Sequence, residues 1–177
     1  MKRLLLLRHA KAVPGTTKQG DHARPLNDRG RHDAPRIGAE MQHKGYFPDV
    51  VLCSTSKRTV ETWRHVAPEL GGKLDAQLLD SLYLASWKAI ANAARALDEP
   101  AKVALFIGHN PGLEECARAL ARKPQSDDES DRLALLSDKF PTAALAVLDF
   151  DVDAWKEIGS GMGELYDFIR PRELTGG

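Results

Sequence analysis

Three times along the chain a short aliphatic run leads into a polar turn and then into a segment whose apolar residues recur every three or four positions. Repeated strand–turn–helix units leave few options, because parallel strands are joined only by crossovers whose helices must cover the sheet. The predicted fold is therefore α/β, a three-layer α/β/α sandwich around a mostly parallel sheet of about six strands. The first unit predicts a strand over 3–7 and a helix over 29–44, with Ala34, Ile37 and Met41 on one face, Asn27 as its cap and Gly45 as its end. The second predicts a strand over 49–53, a Ser54-Thr55-Ser56 turn and a helix facing Val60, Trp63, Val66 and Leu70 inward, with Arg58 in its first turn. The third predicts a strand over 103–107, a Gly108-His109-Asn110 turn and a helix with Pro111 in first position and a stripe of Leu113, Cys116, Ala117 and Leu120.

Further strands are expected over 74–79, 143–150 and 165–169, and a helix over 86–97 burying Ile90, Ala93, Ala94 and Leu97. Segment 123–139, with Asp127, Asp128, Glu129 and Asp131 close together, reads as a mobile surface excursion. A length of 177 residues suits one domain over 1–177. The 25 Lys and Arg balance the 25 Asp and Glu, so nothing in the net charge favours nucleic acid or a membrane surface as partner, and any attraction to phosphate has to be local. The Leu4 to Leu7 run is cut short by Arg8, and no apolar stretch nears the ~20 residues of a membrane span, which predicts a cytoplasmic protein. Cys53 and Cys116 lie in apolar segments and read as reduced core thiols, with no disulfide or zinc spacing.

Ligands of open α/β sheets bind beyond the carboxyl ends of the strands, where loops meet helix N-termini. Three such ends carry Arg8-His9, Arg58 and His109. Two guanidinium groups can grip phosphoryl oxygens through paired charged hydrogen bonds, and helix N-termini add oriented N–H donors. Positive charge at that density disfavours imidazolium, so a histidine there stays neutral and nucleophilic, and His9 is the better candidate for that role. Taken singly, a His or Arg at a strand end is more often a solvated loop residue or a hydrogen-bonded packing group than a catalyst; their convergence on three strand ends is what points to a site. His22, His32, His43 and His65 show no metal-ligand spacing and read as solvated positions, and Trp63, Trp87 and Trp155 as packing residues.

The ordered set Leu7-Arg8-His9-Ala10, Ser54-Thr55-Ser56-Lys57-Arg58-Thr59 and Gly108-His109-Asn110-Pro111 resembles the histidine phosphatase superfamily, the phosphoglycerate-mutase-like group. The loop Asp21-His22-Ala23-Arg24-Pro25-Leu26 ahead of Asp28-Arg29-Gly30, and the stretch Leu82-Tyr83-Leu84-Ala85-Ser86, are similar to the SixA phosphohistidine phosphatases. That resemblance implies in-line attack by His9 on phosphorus, equatorial oxygens held by Arg8, Arg58 and His109, and release of phosphate by water, with no metal or cofactor. Arg24 and Asn110, within the matching motifs, are further candidate substrate contacts. The sequence departs from the phosphomonoesterases of the group at Leu79-Asp80-Ser81-Leu82-Tyr83, which lacks their Glu-containing pattern. Asp80 is the one acid nearby, either a general acid or a turn residue. A phosphoramidate tolerates weak acid provision because its nitrogen is readily protonated, so the expected substrate is phosphohistidine in a partner protein, such as a histidine-phosphorylated phosphotransfer protein. The alternatives are a phosphomonoesterase or mutase acting on sugar phosphates or nucleotides, and a phosphate-binding module without chemistry.

Overall fold

The computed structural model of the chain describes residues 1–16 and 18–174. Six strands form one sheet in the order β3-β2-β4-β1-β5-β6: β1 Lys2–Arg8, β2 Val50–Ser54, β3 Gln77–Leu79, β4 Val103–Gly108, β5 Leu145–Phe150 and β6 Glu164–Ile169. The pairs β1–β4, β2–β4 and β2–β3 are parallel, whereas β5 runs antiparallel to both β1 and β6. The α/β sandwich read from the sequence is the observed fold.

Side-chain alternation in β1 builds both cores. Leu4 and Leu6 pack with α3 (Trp87–Arg95), α4 (Gly112–Leu120) and Leu136 of α5 (Asp127–Asp138), while Leu5 and Leu7 pack with α1 (Asp28–His43) and α2 (Lys57–Val66). All four leucines are fully buried, so this strand is the central seam of the molecule. Helix starts follow local chemistry: the side chains of Asn27, Ser56 and Ser86 accept from Gly30 N, Thr59 N and Ala89 N.

The sequence-based expectations need four corrections. Segment 123–139 is not an excursion but contains α5, with Leu136 buried. Asp127, Asp128 and Glu129 form the helix's first turn: Ser126 Oγ accepts from Glu129 N at 3.2 Å, and the Glu129 carboxylate accepts from Gln125 N and Arg122 at 3.0 Å each. The strand expected over 74–79 shrinks to Gln77–Leu79, an edge strand whose Leu78 is exposed, because no further strand covers it. On α2 the inward face is carried by Thr59, Thr62, Trp63 and Val66, with Val60 and Leu70 only partly buried. Pro111 caps α4 instead of opening it.

Candidate active site

The parallel register assembles the site. Arg8 pairs with Gly108, Ile107 with Cys53 and Ser54 with Leu79, so the strand ends lie in one row across β1, β4, β2 and β3. One residue further along each chain stand His9, His109, Thr55 and Asp80. His9 and His109 therefore emerge side by side, with His9 N donating to the Gly108 carbonyl at 3.1 Å and ring centroids 5.4 Å apart.

The two imidazoles are buried, 8% and 3% exposed, and held in opposite senses. His9 Nδ1 lies 2.7 Å from the Ala10 carbonyl, which can only accept, so Nδ1 carries the proton and Nε2 keeps a free lone pair. His109 Nδ1 receives Arg58 Nη2 at 3.2 Å and is the acceptor; its Nε2–H then donates to Ser54 Oγ at 2.8 Å. Burial first, then the Arg58 guanidinium, lowers the pKa of both: His9 to about 3, with His109 and Arg8 contributing, and His109 to about 4. Neither ring is charged at neutral pH.

Arg58 sits in the first turn of α2 and is 2% exposed. Its Nη1 donates to the Asp21 carbonyl at 2.8 Å and its Nη2 to Asp21 Oδ2 at 3.0 Å. Arg8 Nη1 donates to the Phe140 carbonyl at 2.8 Å, and burial lowers its pKa. The Nε–H groups of both arginines are buried and lack a partner among the described residues. Charged donors in that state carry a large desolvation penalty that an anion between them relieves.

Of the remaining expected site residues, Asn110 donates to Glu114 Oε2 and to the Phe140 carbonyl at 3.2 and 3.1 Å, so one backbone oxygen ties it to Arg8. Arg24 spends its guanidinium within its own loop, on Asp21 and the Val13 carbonyl, and reaches the pocket only through Asp21. Asp80 is exposed and accepts from Thr55 Oγ1 at 2.6 Å. Sequence reasoning missed Asp21, Ser54, Tyr83 and His22 as members of the site. The Tyr83 hydroxyl donates to Asp21 Oδ2, and the Tyr83 ring meets His109 edge-on at 5.4 Å and His22 at 4.8 Å. These hydrogen bonds from Tyr83, Arg24 and Arg58 hold the Asp21 carboxyl far below the usual carboxylate range. Only Ser54 carried a legible signal, since it directly follows an apolar strand run, as Arg8 does.

Two glycines let the rim loops close on the helices. A Cβ on Gly112, at the start of α4, would lie 1.9 Å from the Ala85 carbonyl oxygen, so only glycine lets the segment carrying Tyr83 lie there. A Cβ on Gly30, in the first turn of α1, would lie 2.1 Å from the Lys11 carbonyl oxygen, which fixes the chain just past His9.

Residues 4–121 match the family description "Histidine phosphatase superfamily (branch 1)". An uncharacterized protein of Mycobacterium tuberculosis is 31% identical over 168 residues, covering 94% of this chain and 100% of that protein. Among solved structures, a protein of Agrobacterium tumefaciens provisionally assigned as the phosphohistidine phosphatase SixA superposes with a TM-score of 0.79 at 30% identity, over 96% of this chain and 98% of its own. The structure of the protein histidine phosphatase SixA complexed with tungstate shares the fold, with a TM-score of 0.77 at 20% identity over 98% of this chain and 99% of that one. No helix among the described residues is long and apolar enough to cross a membrane. The row of strand ends and the match over 4–121 agree, and the chain belongs to the histidine phosphatase superfamily, with a fold of the SixA type.

Proposed function

We propose that this phosphatase takes the phosphoryl group onto His9 Nε2 and that its substrate is phosphohistidine presented by another protein. The carrying observation is the pair of buried, unpartnered Nε–H groups of Arg8 and Arg58 beside an imidazole whose Nε2 lone pair is free. In-line attack by Nε2 on phosphorus expels the leaving group. Arg8, Arg58 and the positive end of α4 stabilise charge on the equatorial oxygens, and water then attacks the phosphoryl group on His9.

The acids near the pocket decide which leaving group suits it. Asp21 stays ionised through its bonds to Tyr83, Arg24 and Arg58 and has no proton to give. Asp80 faces Thr55. With no carboxylic acid free at the mouth among the described residues, a nitrogen leaving group fits better than an alkoxide, because nitrogen accepts a proton readily. The name given to the Agrobacterium relative points the same way. Incubating the purified chain with a phosphotransfer protein labelled on histidine tests this. Release of inorganic phosphate, with transient label on His9, is expected, whereas label persisting on the partner at the rate seen with His9→Ala would end the proposal.

A further inference from the structure

His22 read from the sequence as a solvated loop residue, yet the structure ties it to the row of strand ends through an ordered chain of hydrogen bonds. Asp80 Oδ1 receives the Thr55 hydroxyl at 2.6 Å, and Thr55 Oγ1 lies 3.0 Å from His22 Nε2. The carboxylate at one end can only accept, so the Thr55 O–H points to Asp80 and its oxygen accepts from His22 Nε2–H. The direction of the chain fixes the tautomer: Nε2 holds its hydrogen, and Nδ1 is left as the exchanging nitrogen. The ring is located as well as oriented. Its edge meets Tyr83 at 4.8 Å, Tyr83 in turn meets His109, its own carbonyl accepts from Lys57 N at the start of α2, and the preceding residue, Asp21, binds Arg58. His22 is exposed, so substrate can reach it.

We infer that His22 is the proton donor to the leaving group at the mouth of the site, with Thr55 and Asp80 as the residues that position it. This rests on the reading of His9 as the nucleophile and places an imidazole at the mouth, where no carboxylic acid is free. In the first step the His9 Nε2 lone pair forms the N–P bond, the bond from phosphorus to the leaving atom breaks with its electron pair on that atom, and His22, entering as the imidazolium, passes its Nδ1 proton to that atom and is left as the Nε2–H tautomer. In the second step water forms the new O–P bond, one of its protons returns to His22 Nδ1, and the P–Nε2 bond breaks with its pair back on His9. His22 ends as it began, and the net reaction is hydrolysis.

Leaving-group dependence tests the role, because an acid matters in proportion to how poorly the departing atom carries charge. The measurement is the ratio of kcat/KM for phenyl phosphate to that for para-nitrophenyl phosphate, together with rapid-quench labelling of His9. His22→Gln is expected to lower that ratio about 30-fold, less than the full ~10²–10⁴-fold of general acid catalysis because the para-nitrophenyl ester also gains part of it. Thr55→Val should lower it about fivefold, with Thr55→Ser restoring it, since only the hydroxyl relays the orientation. A ratio unchanged in His22→Gln, or both esters slowed equally, overturns the inference while leaving His9 labelling, and with it the nucleophile, intact. Wild-type protein that labels His9 from a phosphoramidate but does not turn over phenyl phosphate also overturns it. Loss of labelling in the wild type itself would instead remove the nucleophile assignment.

Discussion

The ends of β1 and β4 are nearly twins. Each is a buried aliphatic strand that stops at a histidine, and the two strands are paired neighbours in register. Their imidazoles nevertheless have different fates. The His9 ring spends one nitrogen on the carbonyl of the next residue and keeps the other open, whereas His109 has a side chain on each nitrogen, Ser54 on one side and Arg58 on the other. In the proposed mechanism the lone acceptor leaves His9 as the nucleophile, and the donor–acceptor pair fixes His109 beside it. The division of labour thus lives in what surrounds each ring, since the strand-histidine pattern is common to both.

The sharpest way to break this comparison is to delete each ring in turn. His9→Ala should lower turnover of para-nitrophenyl phosphate by at least ~10⁴-fold, as loss of a covalent nucleophile does, and His109→Ala by about 10²–10³-fold, because it releases the Arg58 guanidinium that its Nδ1 holds in place. If the two variants lost the same factor, with covalent phosphate still forming in His9→Ala, the roles would have to be exchanged. Next in size is Arg58→Ala, expected to reduce kcat/KM about 10²–10³-fold, because it removes both a phosphate donor and the partner of His109 Nδ1. Arg58→Lys should recover little of this, since an ammonium cannot replace a fork that reaches Asp21 and His109 together.

Ser54→Ala sharpens the comparison more gently. It frees His109 Nε2 while leaving every His9 contact in place, and the expected loss is about tenfold in kcat with His9 still labelled, the equivalent of one ordinary hydrogen bond. Gly112→Ala acts on the rim: displacing the Ala85 carbonyl should lower stability by about 1–3 kcal/mol in a denaturant titration and raise KM. Gly30→Ala should disturb the chain after His9 instead. Acid titration needs no substitution. Both folded-state pKa values lie below the ordinary histidine value of ~6.5, so between there and about 3 to 4 the unfolded chain binds protons that the folded chain refuses. Stability should therefore fall as pH falls through that window, and imidazole NMR should find His9 still neutral at about pH 5. A ring that titrates near its ordinary value would mean that it is not buried among cations.

Local pattern carried much of the architecture because strands and amphipathic helices announce themselves within a few residues. It failed at α5, where the Asp127, Asp128 and Glu129 run was legible equally as a solvated loop and as an acidic first turn; the Ser126 cap and the Arg122 contact decide between them. Arg8, His9, Arg58 and His109 were visible at strand ends and in a helix's first turn, where placement depends on local structure alone. Asp21, Tyr83 and His22 were not, because nothing in a loop's composition tells which guanidinium or ring it will meet.

The linear order of residues by itself determined which faces are apolar, where strands stop, and that two histidines and two arginines follow those stops. Tertiary structure alone decided that Gly108 pairs with Arg8, which imidazole nitrogen is open, and that a loop carboxylate and a tyrosine enclose Arg58. The physical reason is range: helix period and strand alternation are set between near neighbours, whereas register and hydrogen-bond partners are settled only when distant segments share one core.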